Sequence, residues 1–254
     1  MRLTTVGTGT VSPSAHRVSA GHHLAAGDVR LLMDCGSGVV HRMAQLGMRW
    51  QDITHVALTH FHADHIADLA PLIFAWRYGD LPPRSAPVVI VGPAGTAGLL
   101  ERWASAFGAW VTAPDYPLHV REIAPDESVE LGPGVQLSAR KVPHTVESVA
   151  YSIVYGTRRV VYTGDTGFDP ALAEWAAGAD VLLAECSLPD EMAMDGHLTP
   201  VQCGTLARLA SPRHLALTHF YPPVEPVDVR GIVARSYDGL ITLAYDGWSL
   251  DIED

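Results

Sequence analysis

Cysteines are few in this sequence, and no apolar run is long. The three cysteines, Cys35, Cys186 and Cys203, show no C-x-x-C spacing and cannot all pair with one another. This pattern argues against a disulfide scaffold or a cysteine-type zinc finger and favours small buried side chains. No apolar run reaches the length of a membrane span, and the first residues lack the apolar core of a signal peptide. The expected compartment is the cytoplasm.

Basic residues are also scarce. Lys and Arg number 17 against 28 Asp and Glu, which gives a formal net charge of −11 at pH 7, and Lys141 is the one lysine of the chain. Surfaces that bind nucleic acid are usually basic, so the composition argues against a general polyanion-binding protein. Apolar residues make up 48% of the chain and charged residues 18%, as in globular proteins. No linker divides the sequence, and we expect one domain over residues 1–254.

Short apolar runs alternate with helix-like stretches along the chain. Runs rich in Val, Ile, Leu and Tyr and bounded by Gly, Pro or Asp predict strands at 3–6, 29–33, 55–59, 88–91, 119–123, 135–141, 150–155, 159–163, 181–184, 214–218 and 241–245. The predicted helices are 38–46, 64–76, 96–107, 170–177, 200–209 and a short one near 227–236. Thr199, followed by Pro200, is the expected N-cap of the fifth helix. This order predicts an α/β sandwich in which mostly sequential strands pair.

One pentapeptide occurs twice. Ala-Leu-Thr-His-Phe stands at residues 57–61 and again at 216–220, and in both copies an apolar strand ends in a histidine, His60 or His219. Coincidence between two β-rich segments is one interpretation. The other is two pseudo-equivalent halves, each of which places a histidine at the carboxyl end of a strand, where ligand sites of α/β proteins gather.

Histidine is abundant, with 13 in the chain, and the densest cluster is H-x-H-x-D-H at residues 60–65. His60, His62, Asp64 and His65 lie where a predicted strand turns into a helix, so one compact turn aims four side chains at one spot. Imidazole and carboxylate suit zinc, and also iron or manganese. One tetrahedral ion binds four ligands. The four donors of this motif, together with others from distant segments, are more than one such ion needs, which indicates two metal ions. The alternative is a polar turn with Asp64 as a helix cap.

H-x-H-x-D-H after an apolar strand resembles the metallo-β-lactamase fold superfamily, and the whole chain resembles its ribonuclease Z-like branch. Matching segments follow in the order of that branch: 7–10, 32–38, 142–144 with Ser148 and Tyr151, 162–166, 184–186, 196–199 and 217–220. The resemblance implies an αββα sandwich with a dinuclear metal centre at one edge.

The resemblance also implies two ligand sets joined by a bridging carboxylate. His60, His62 and His144 hold one ion, Asp64, His65 and His219 hold the other, and Asp165 bridges them. The expected cofactors are two divalent ions, zinc with manganese or iron as alternatives. For His144 and Asp165, which follow Pro143 and Gly164, the alternative is an ordinary turn residue.

Asp34 lies in the matching segment 32–38, whereas His22 and His23 lie near the glycine-rich opening and have no matching motif. Asp34 resembles a carboxylate that orients a ligand histidine by hydrogen bonding, with a turn cap as the alternative. His22 and His23 could line the cleft, but we expect them on the surface.

A dinuclear site lowers the pKa of a bound water and supplies a hydroxide nucleophile, which suits phosphodiesters, lactones, thioesters and β-lactams alike. In the resembling branch a histidine at the position of His197 contacts the phosphate or protonates the leaving group, and a glutamate orients it. Glu185 ends an apolar strand and is the expected partner of His197. The candidate catalytic residues are therefore Asp64, also a metal ligand, His197 and Glu185. For His197 the alternative is an ordinary residue before a helix.

Several departures from the branch point to a small substrate. The tRNA-clamping arm of that branch would precede the third metal motif, but the segment from 92–95 to His144 must already hold a helix and strands. Residues 111–130 carry more acid than base, with Arg121 alone positive, and residues 66–70 lack the glycine-rich sequence that follows the motif in the tRNA enzymes. We therefore expect a phosphodiesterase acting on a small phosphodiester such as a cyclic nucleotide, with no strong binding of nucleic acid and no membrane partner.

Other functions stay open at this point. They are a ribonuclease Z-type endonuclease that processes tRNA 3′ ends, a lactonase, arylsulfatase or β-lactamase of the same superfamily, and a non-catalytic or metal-storage protein. The resemblance also suggests a homodimer. The apolar faces of residues 69–76 and 99–107, with Trp76, Trp103 and Trp110, fit a subunit interface or the core, and core is expected for most of them.

Overall fold

The computed structural model describes residues 1–79 and 81–253, in which strands and helices alternate. Among these residues the fourteen strands are β1 (Arg2–Gly7), β2 (Gly21–Ala26), β3 (Val29–Met33), β4 (His55–Ala57), β5 (Val88–Gly92), β6 (Leu118–Glu122), β7 (Ser128–Gly132), β8 (Val135–Lys141), β9 (Val149–Tyr155), β10 (Arg158–Tyr162), β11 (Val181–Glu185), β12 (His214–Thr218), β13 (Leu240–Leu243) and β14 (Ser249–Asp251). The seven α-helices are α1 (Val39–Gln45), α2 (Ala63–Ile66), α3 (Leu69–Tyr78), α4 (Thr96–Phe107), α5 (Pro170–Trp175), α6 (Pro200–Ala210) and α7 (Val229–Val233).

The strands form two seven-stranded mixed sheets. The first has the order β14-β1-β2-β3-β4-β5-β6 and the second the order β13-β12-β11-β10-β9-β8-β7, so the prediction of mostly sequential pairing is confirmed. Strands β3 to β6 are parallel to one another, as are β10 to β13, and the remaining pairs are antiparallel. The two copies of the repeated pentapeptide lie at the carboxyl ends of β4 and β12, one strand in each sheet. Residues 57–61 begin at the last residue of β4, and residues 216–220 begin within β12.

Successive side chains of a strand point to opposite faces, and this alternation builds three apolar layers. One set of strand residues, including Leu31 of the first sheet and Leu183 of the second, packs between the sheets. The opposite face of the first sheet packs against α1, α3 and α4. The opposite face of the second sheet packs against α5, α6 and α7. The αββα sandwich expected from the sequence is confirmed.

The observed limits of the strands and helices agree with the predicted limits where the sequence pattern is strong. Strands β3, β8 and β12 and helix α4 have the predicted limits, and Thr199 caps α6 with a capping box to Gln202 and Pro200 in the first turn. Strands β2, β7 and β14 were not predicted, because their sequences lack the β-branched apolar alternation that marks a strand. No helix among the described residues is long and apolar enough to cross a membrane.

The helix predicted over 64–76 is two helices, and the prediction of one continuous helix is wrong. The chain breaks between α2 and α3 at Asp68, whose amide donates to the Cys35 carbonyl at 2.9 Å and whose carboxylate accepts from the Val40 amide at 3.0 Å. These contacts to a distant segment replace the helical ones. The break lets the short α2 turn point Asp64 and His65 inward.

The cysteines, His22 and three tryptophans outside the ligand sets differ in how deeply they are buried. All three cysteines are buried, as expected. His22 is fully buried and packs edge-on against Tyr162 with ring centroids 4.8 Å apart, so its expected surface position is wrong. Trp76 is fully buried in the core beneath α3, while Trp103 and Trp110 are partly buried against the same core. Core packing of these helices is therefore confirmed, and the homodimer stays a prediction.

Candidate metal centre

The H-x-H-x-D-H motif lies at the carboxyl end of β4. The main chain after this strand is fixed by two hydrogen bonds, from the Leu58 amide to the Val91 carbonyl at 2.9 Å and from the Thr59 amide to Asp34 Oδ1 at 2.8 Å. Helix α2 then starts directly, and the His65 amide donates to the His62 carbonyl at 2.9 Å. The strand end and one helical turn thus bring all four side chains of the motif to one edge of the sandwich.

Three further loops of the second sheet reach the same edge. His144 lies between β8 and β9, Asp165 follows β10, and His219 directly follows β12. The turn before Asp165 passes close to the first sheet: Gly164 has φ +57°, and a Cβ there would stand 2.9 to 3.1 Å from the Thr59 side chain. Glycine is required because the backbone is left-handed and the space is already filled.

The seven predicted ligands form two adjoining groups. In the first, His60, His62, His144 and Asp165 each offer a ligand atom, and these atoms lie within 4.8 Å of one another. His144 Nε2 is 3.1 Å from His62 Nδ1, and Asp165 Oδ2 is 3.8 Å from Nε2 of both His60 and His144. This is the set expected for one ion, together with the expected bridge.

The second group contains Asp64, His65 and His219, again within 4.8 Å. His65 Nε2 is 3.3 Å from His219 Nε2, and His219 Nε2 is 3.4 Å from Asp64 Oδ2. Asp165 Oδ1 lies 3.2 Å from His65 Nε2 and 3.3 Å from His219 Nε2. Each oxygen of Asp165 therefore faces one group, which is the arrangement a bridging carboxylate requires.

Hydrogen bonds hold the histidine rings with one nitrogen toward the cluster. Nδ1 of His65 donates to Asp34 Oδ2 at 2.8 Å, and Nδ1 of His144 donates to the Gly196 carbonyl at 2.9 Å. Nδ1 of His60 is 3.0 Å from Thr59 Oγ1, and Nδ1 of His219 is 2.9 Å from Ser187 Oγ. With a proton on Nδ1, the lone pair of each ring is on Nε2, the atom that faces the cluster. Such partners fix the tautomer of metal-binding histidines.

The atoms left without partners fit divalent metal ions. His60 Nε2 and Asp165 Oδ1 are buried and have no hydrogen-bond partner among the described residues, and buried polar atoms normally have one. Ring nitrogens of neighbouring histidines also stand 3.1 and 3.3 Å apart, and two lone pairs at this distance repel unless a cation or a proton lies between them. Imidazole nitrogen and carboxylate oxygen are the donors that zinc, iron and manganese accept.

The pKa shifts keep most donors in the metal-binding form. Burial lowers the pKa of His60 and His144, which favours the neutral ring. Burial opposes ionisation of Asp165, but the neighbouring His219 and His65 hold its pKa well below the usual range. Burial likewise disfavours a charged His65, yet Asp165 and Asp34 raise the pKa of that ring well above its usual value. Metal binding would then release the His65 proton.

Asp34 performs the orienting contact expected from the sequence. It is fully buried at φ +57°, and it accepts from His65 Nδ1, from the Thr59 amide and hydroxyl, and from the Tyr162 hydroxyl at 2.8 Å. These four donors hold the Asp34 carboxylate in one orientation. The hydrogen bonds of the Asp34 carboxylate go to Thr59, His65 and Tyr162 and not to its own turn, so the contacts fit the orienting role rather than the turn cap.

His197 and Glu185 meet at the rim of the second group. His197 Nδ1 lies 3.1 and 3.2 Å from the two Glu185 oxygens, and Glu185 also accepts from the amides of Thr166 and Leu198. Burial alone would lower the pKa of His197, but Glu185 and then Asp165 raise it to about 9. No described residue hydrogen bonds to His197 Nε2. The ring is 5.8 Å from that of His219 and nearly parallel to it.

Four contributors to this site were not predicted from the sequence. Thr59, Ser187 and Gly196 orient ligand histidines, and the Tyr221 ring lies 6.0 Å from His197 and 5.9 Å from His219. Burial, and then the carboxylates of the site, raise the pKa of the Tyr221 phenol to about 12, so it stays a hydrogen-bond donor. Their one sequence signal is proximity: each lies within two residues of a predicted site residue.

Ser187→Ala is expected to weaken metal binding at the group that contains His219. The Ser187 hydroxyl donates to Glu185 and accepts from His219 Nδ1, so its loss leaves the ring free to turn. Loss of such a partner costs about 10-fold or more in metal affinity. Competition with a chelator measures the effect, and Ser211→Ala, at an exposed serine after α6, is the control. Unchanged affinity in Ser187→Ala would refute this role.

Comparisons with known proteins agree with this architecture. The family model described as "Beta-lactamase superfamily domain" matches residues 29–220. A protein of Bacillus subtilis named "Probable metallo-hydrolase YhfI" is 29% identical over 252 residues, which cover 98% of each chain. Its crystal structure superposes with a TM-score of 0.86 at 25% identity, again over 98% of each chain. A ribonuclease Z of Mycolicibacterium gilvum is 30% identical, over 97% of this chain and 94% of that protein.

Proposed function

Because the chain belongs to the β-lactamase superfamily, we propose that it is a metallo-hydrolase that cleaves a small phosphodiester, for example a cyclic nucleotide. The observation that carries the proposal is His197, which two oxygens of Glu185 hold at the rim of the ligand cluster. Expulsion of a sugar alkoxide needs a proton donor, and His197 is the residue placed to supply it.

The two ligand groups would hold two divalent ions. We assign His60, His62 and His144 to one ion, Asp64, His65 and His219 to the other, and Asp165 to both, with zinc preferred over manganese or iron. Bound ions would activate water as the nucleophile and neutralise charge on the phosphoryl oxygens. Relatives named ribonuclease Z and metallo-hydrolase share nearly the full length of this chain, which supports hydrolysis as the reaction class.

The residues of the chain have separable tasks in this reaction. Glu185 holds the Nδ1 proton of His197, so His197 Nε2 is the atom that would give a proton to the leaving oxygen. Asp34 and Ser187 prevent His65 and His219 from rotating. The Tyr221 phenol stays protonated near the two rings and would donate a hydrogen bond to a phosphoryl oxygen of the bound substrate.

The small size of the proposed substrate is supported by the segment between β5 and His144. Helix α4, strands β6, β7 and β8 and the connections between them, of which 108–117 is the longest, occupy residues 93–143, all of which the structure describes. Strand β6 pairs with β5, and β7 and β8 pair with each other at the edge of the second sheet. No part of this segment extends from the body of the protein as an arm that could hold a tRNA.

The distribution of charge supports the same conclusion. Among the described residues, nine arginines form ion pairs with carboxylates: Arg2, Arg17, Arg42, Arg49, Arg77, Arg121, Arg140, Arg158 and Arg213. Basic groups that are already paired contribute less to neutralising a phosphate backbone. With a net charge of −11, the chain would repel a long polyanion.

The second candidate is a ribonuclease Z-type endonuclease, which the names of the relatives favour. Tight binding of structured RNA depends on many phosphate contacts, and each contributes about −0.9 to the slope of log affinity against log salt. We expect this chain to bind a tRNA precursor weakly, with a slope shallower than about −2. A steep slope with micromolar or tighter binding would favour the endonuclease instead.

A substrate comparison on metal-loaded protein tests the proposed function. The substrates are a cyclic nucleotide, bis-p-nitrophenyl phosphate, a lactone and a tRNA precursor, with Asp165→Ala as the inactive control. The proposal expects kcat/KM to be highest for the cyclic nucleotide and hydrolysis of bis-p-nitrophenyl phosphate to be measurable. Preferred hydrolysis of the lactone would overturn it in favour of the lactonase alternative, and preferred cleavage of the tRNA in favour of the endonuclease.

A further inference from the structure

The one lysine of the chain closes the loop that carries His144. Lys141 is the last residue of β8, and its ammonium donates to the carbonyls of Val142 at 2.7 Å, Thr145 at 2.6 Å and Ser148 at 3.1 Å. An ammonium has three donors and no acceptor. All three donors of Lys141 are therefore used on main-chain oxygens of a single loop.

These carbonyls lie on both sides of His144 in the sequence. Other hydrogen bonds also hold the 142–148 loop. The Val142 amide donates to the Ser148 carbonyl at 3.2 Å, Thr145 bonds to Ser148 Oγ through its amide at 3.0 Å and its hydroxyl at 2.6 Å, and the Gly167 amide donates to the Pro143 carbonyl at 2.7 Å. Among these contacts, Lys141 is the one that gathers carbonyls from both sides of His144 around a single charge. Three carbonyl dipoles that point at one spot repel one another, and a cation at that spot turns the repulsion into attraction. The Lys141 charge therefore stabilises this path of the loop.

The neighbouring Arg140 shows how specific this arrangement is. Both residues are at the surface, and Lys141 is the more exposed of the two. Arg140 pairs with the Asp126 carboxylate at 2.9 Å, and such surface pairs contribute little to stability. Lys141 contacts main-chain oxygens, and its compact ammonium fits a ring of carbonyls better than a planar guanidinium would. Arg140 and Lys141 have the same charge and adjacent positions, but only Lys141 holds the loop.

We propose that Lys141 is a positioning residue of the metal centre: its ammonium fixes the 142–148 loop, and the loop presents His144 to the group of His60, His62 and Asp165. The ring of His144 is then set from two sides, since its Nδ1 donates to Gly196 while Lys141 fixes its main chain. The inference rests on the ligand role that the proposed function gives to His144.

The test measures metal release from the fully loaded protein, and it needs no substrate. Lys141→Met keeps the aliphatic stem and removes the charge, and Arg140→Met is the matched control. We expect one ion of Lys141→Met to pass to a chelator about 10- to 100-fold faster than in the wild type, the range found when partners of metal ligands are removed. The second ion and Arg140→Met should behave as in the wild type.

A rescue experiment separates positioning from a general loss of stability. Lys141→Ala opens the space among the three carbonyls, so ammonium or potassium ions at about 0.1 M should slow the release of that ion, while tetramethylammonium at equal ionic strength should not. A lower unfolding temperature with wild-type release rates would overturn the proposal, and so would the absence of any rescue. A phosphodiesterase assay that fails leaves this test intact, whereas wild-type protein that binds no metal would refute both proposals.

Discussion

Asp165→Ala is expected to lose both metal ions or to retain a single weakly bound one. The two carboxylate oxygens of Asp165 face different ligand groups, with Oδ2 3.8 Å from His60 Nε2 and Oδ1 3.2 Å from His65 Nε2. The substitution therefore removes a ligand from both groups at once, and hydrolysis should fall to the uncatalysed background. His219→Ala removes a ligand from one group only, and it should keep the other ion.

Elemental analysis and the activity of purified protein measure this difference. Asp169→Ala is the matched control, because Asp169 lies on the same loop, has the same charge and caps α5 by accepting from the Ala171 amide at 2.9 Å. Its loss should cost about 1 kcal/mol of stability and leave two full equivalents of metal. Two full equivalents in Asp165→Ala would remove the bridging assignment.

His197→Ala is expected to lower kcat by about 10²- to 10⁴-fold for a substrate with a poor leaving group, the usual contribution of general acid catalysis. The ribose alkoxide of a cyclic nucleotide needs a proton as it leaves, and His197 Nε2 is the atom placed to give it. p-Nitrophenolate scarcely needs one, so the loss should be small for bis-p-nitrophenyl phosphate. Metal content should stay near that of the wild type, because His197 is not a proposed ligand.

The comparison of leaving groups identifies the task of His197. Equal losses for both substrates would mean that His197 binds the phosphate, and no loss for either would favour the lactonase alternative. His119→Ala, at an exposed histidine of β6, is the control.

Glu185→Gln should lower kcat in the same direction as His197→Ala but more mildly, because it removes the charge that orients His197 and keeps the shape of the side chain. It should also lower the unfolding temperature, since the amide nitrogen would face an N–H donor of Thr166 or Leu198.

The half of the metal centre that follows β4 of the first sheet could be predicted from the sequence, because it depends on residues that are close together in the chain. The spacing H-x-H-x-D-H places four donors on one strand end and one helical turn, and contacts within a few residues, such as that of the His65 amide with the His62 carbonyl, suffice to build it. The apolar patterns that predicted β8 and α4, and the N-cap at Thr199, likewise depend on residues that are close together in the sequence. The grouping of His144, Asp165 and His219 came from resemblance. The repeated pentapeptide relates His219 to His60, but no local pattern relates His144 or Asp165 to them.

Only the tertiary structure decided which groups support the centre. The rings of His219 and His144 are oriented by Ser187 and by the Gly196 carbonyl, partners that the docking of separate loops brings within 2.9 Å. Burial of His22 and the helix break at Asp68 likewise depend on neighbours from other elements, and a sequence pattern carries no information about them.

The sequence by itself determined the donor types, their order and the strand and helix periods, because these depend on side-chain chemistry and on contacts over a few residues. The structure decided that Asp165 faces both ligand groups, that Glu185 holds His197, and that the Lys141 ammonium closes the His144 loop. Each of these arises from the packing of two sheets and their loops. A hydrogen bond or a ligand group needs atoms placed to within a few tenths of an ångström, which distant segments reach only when the fold is complete.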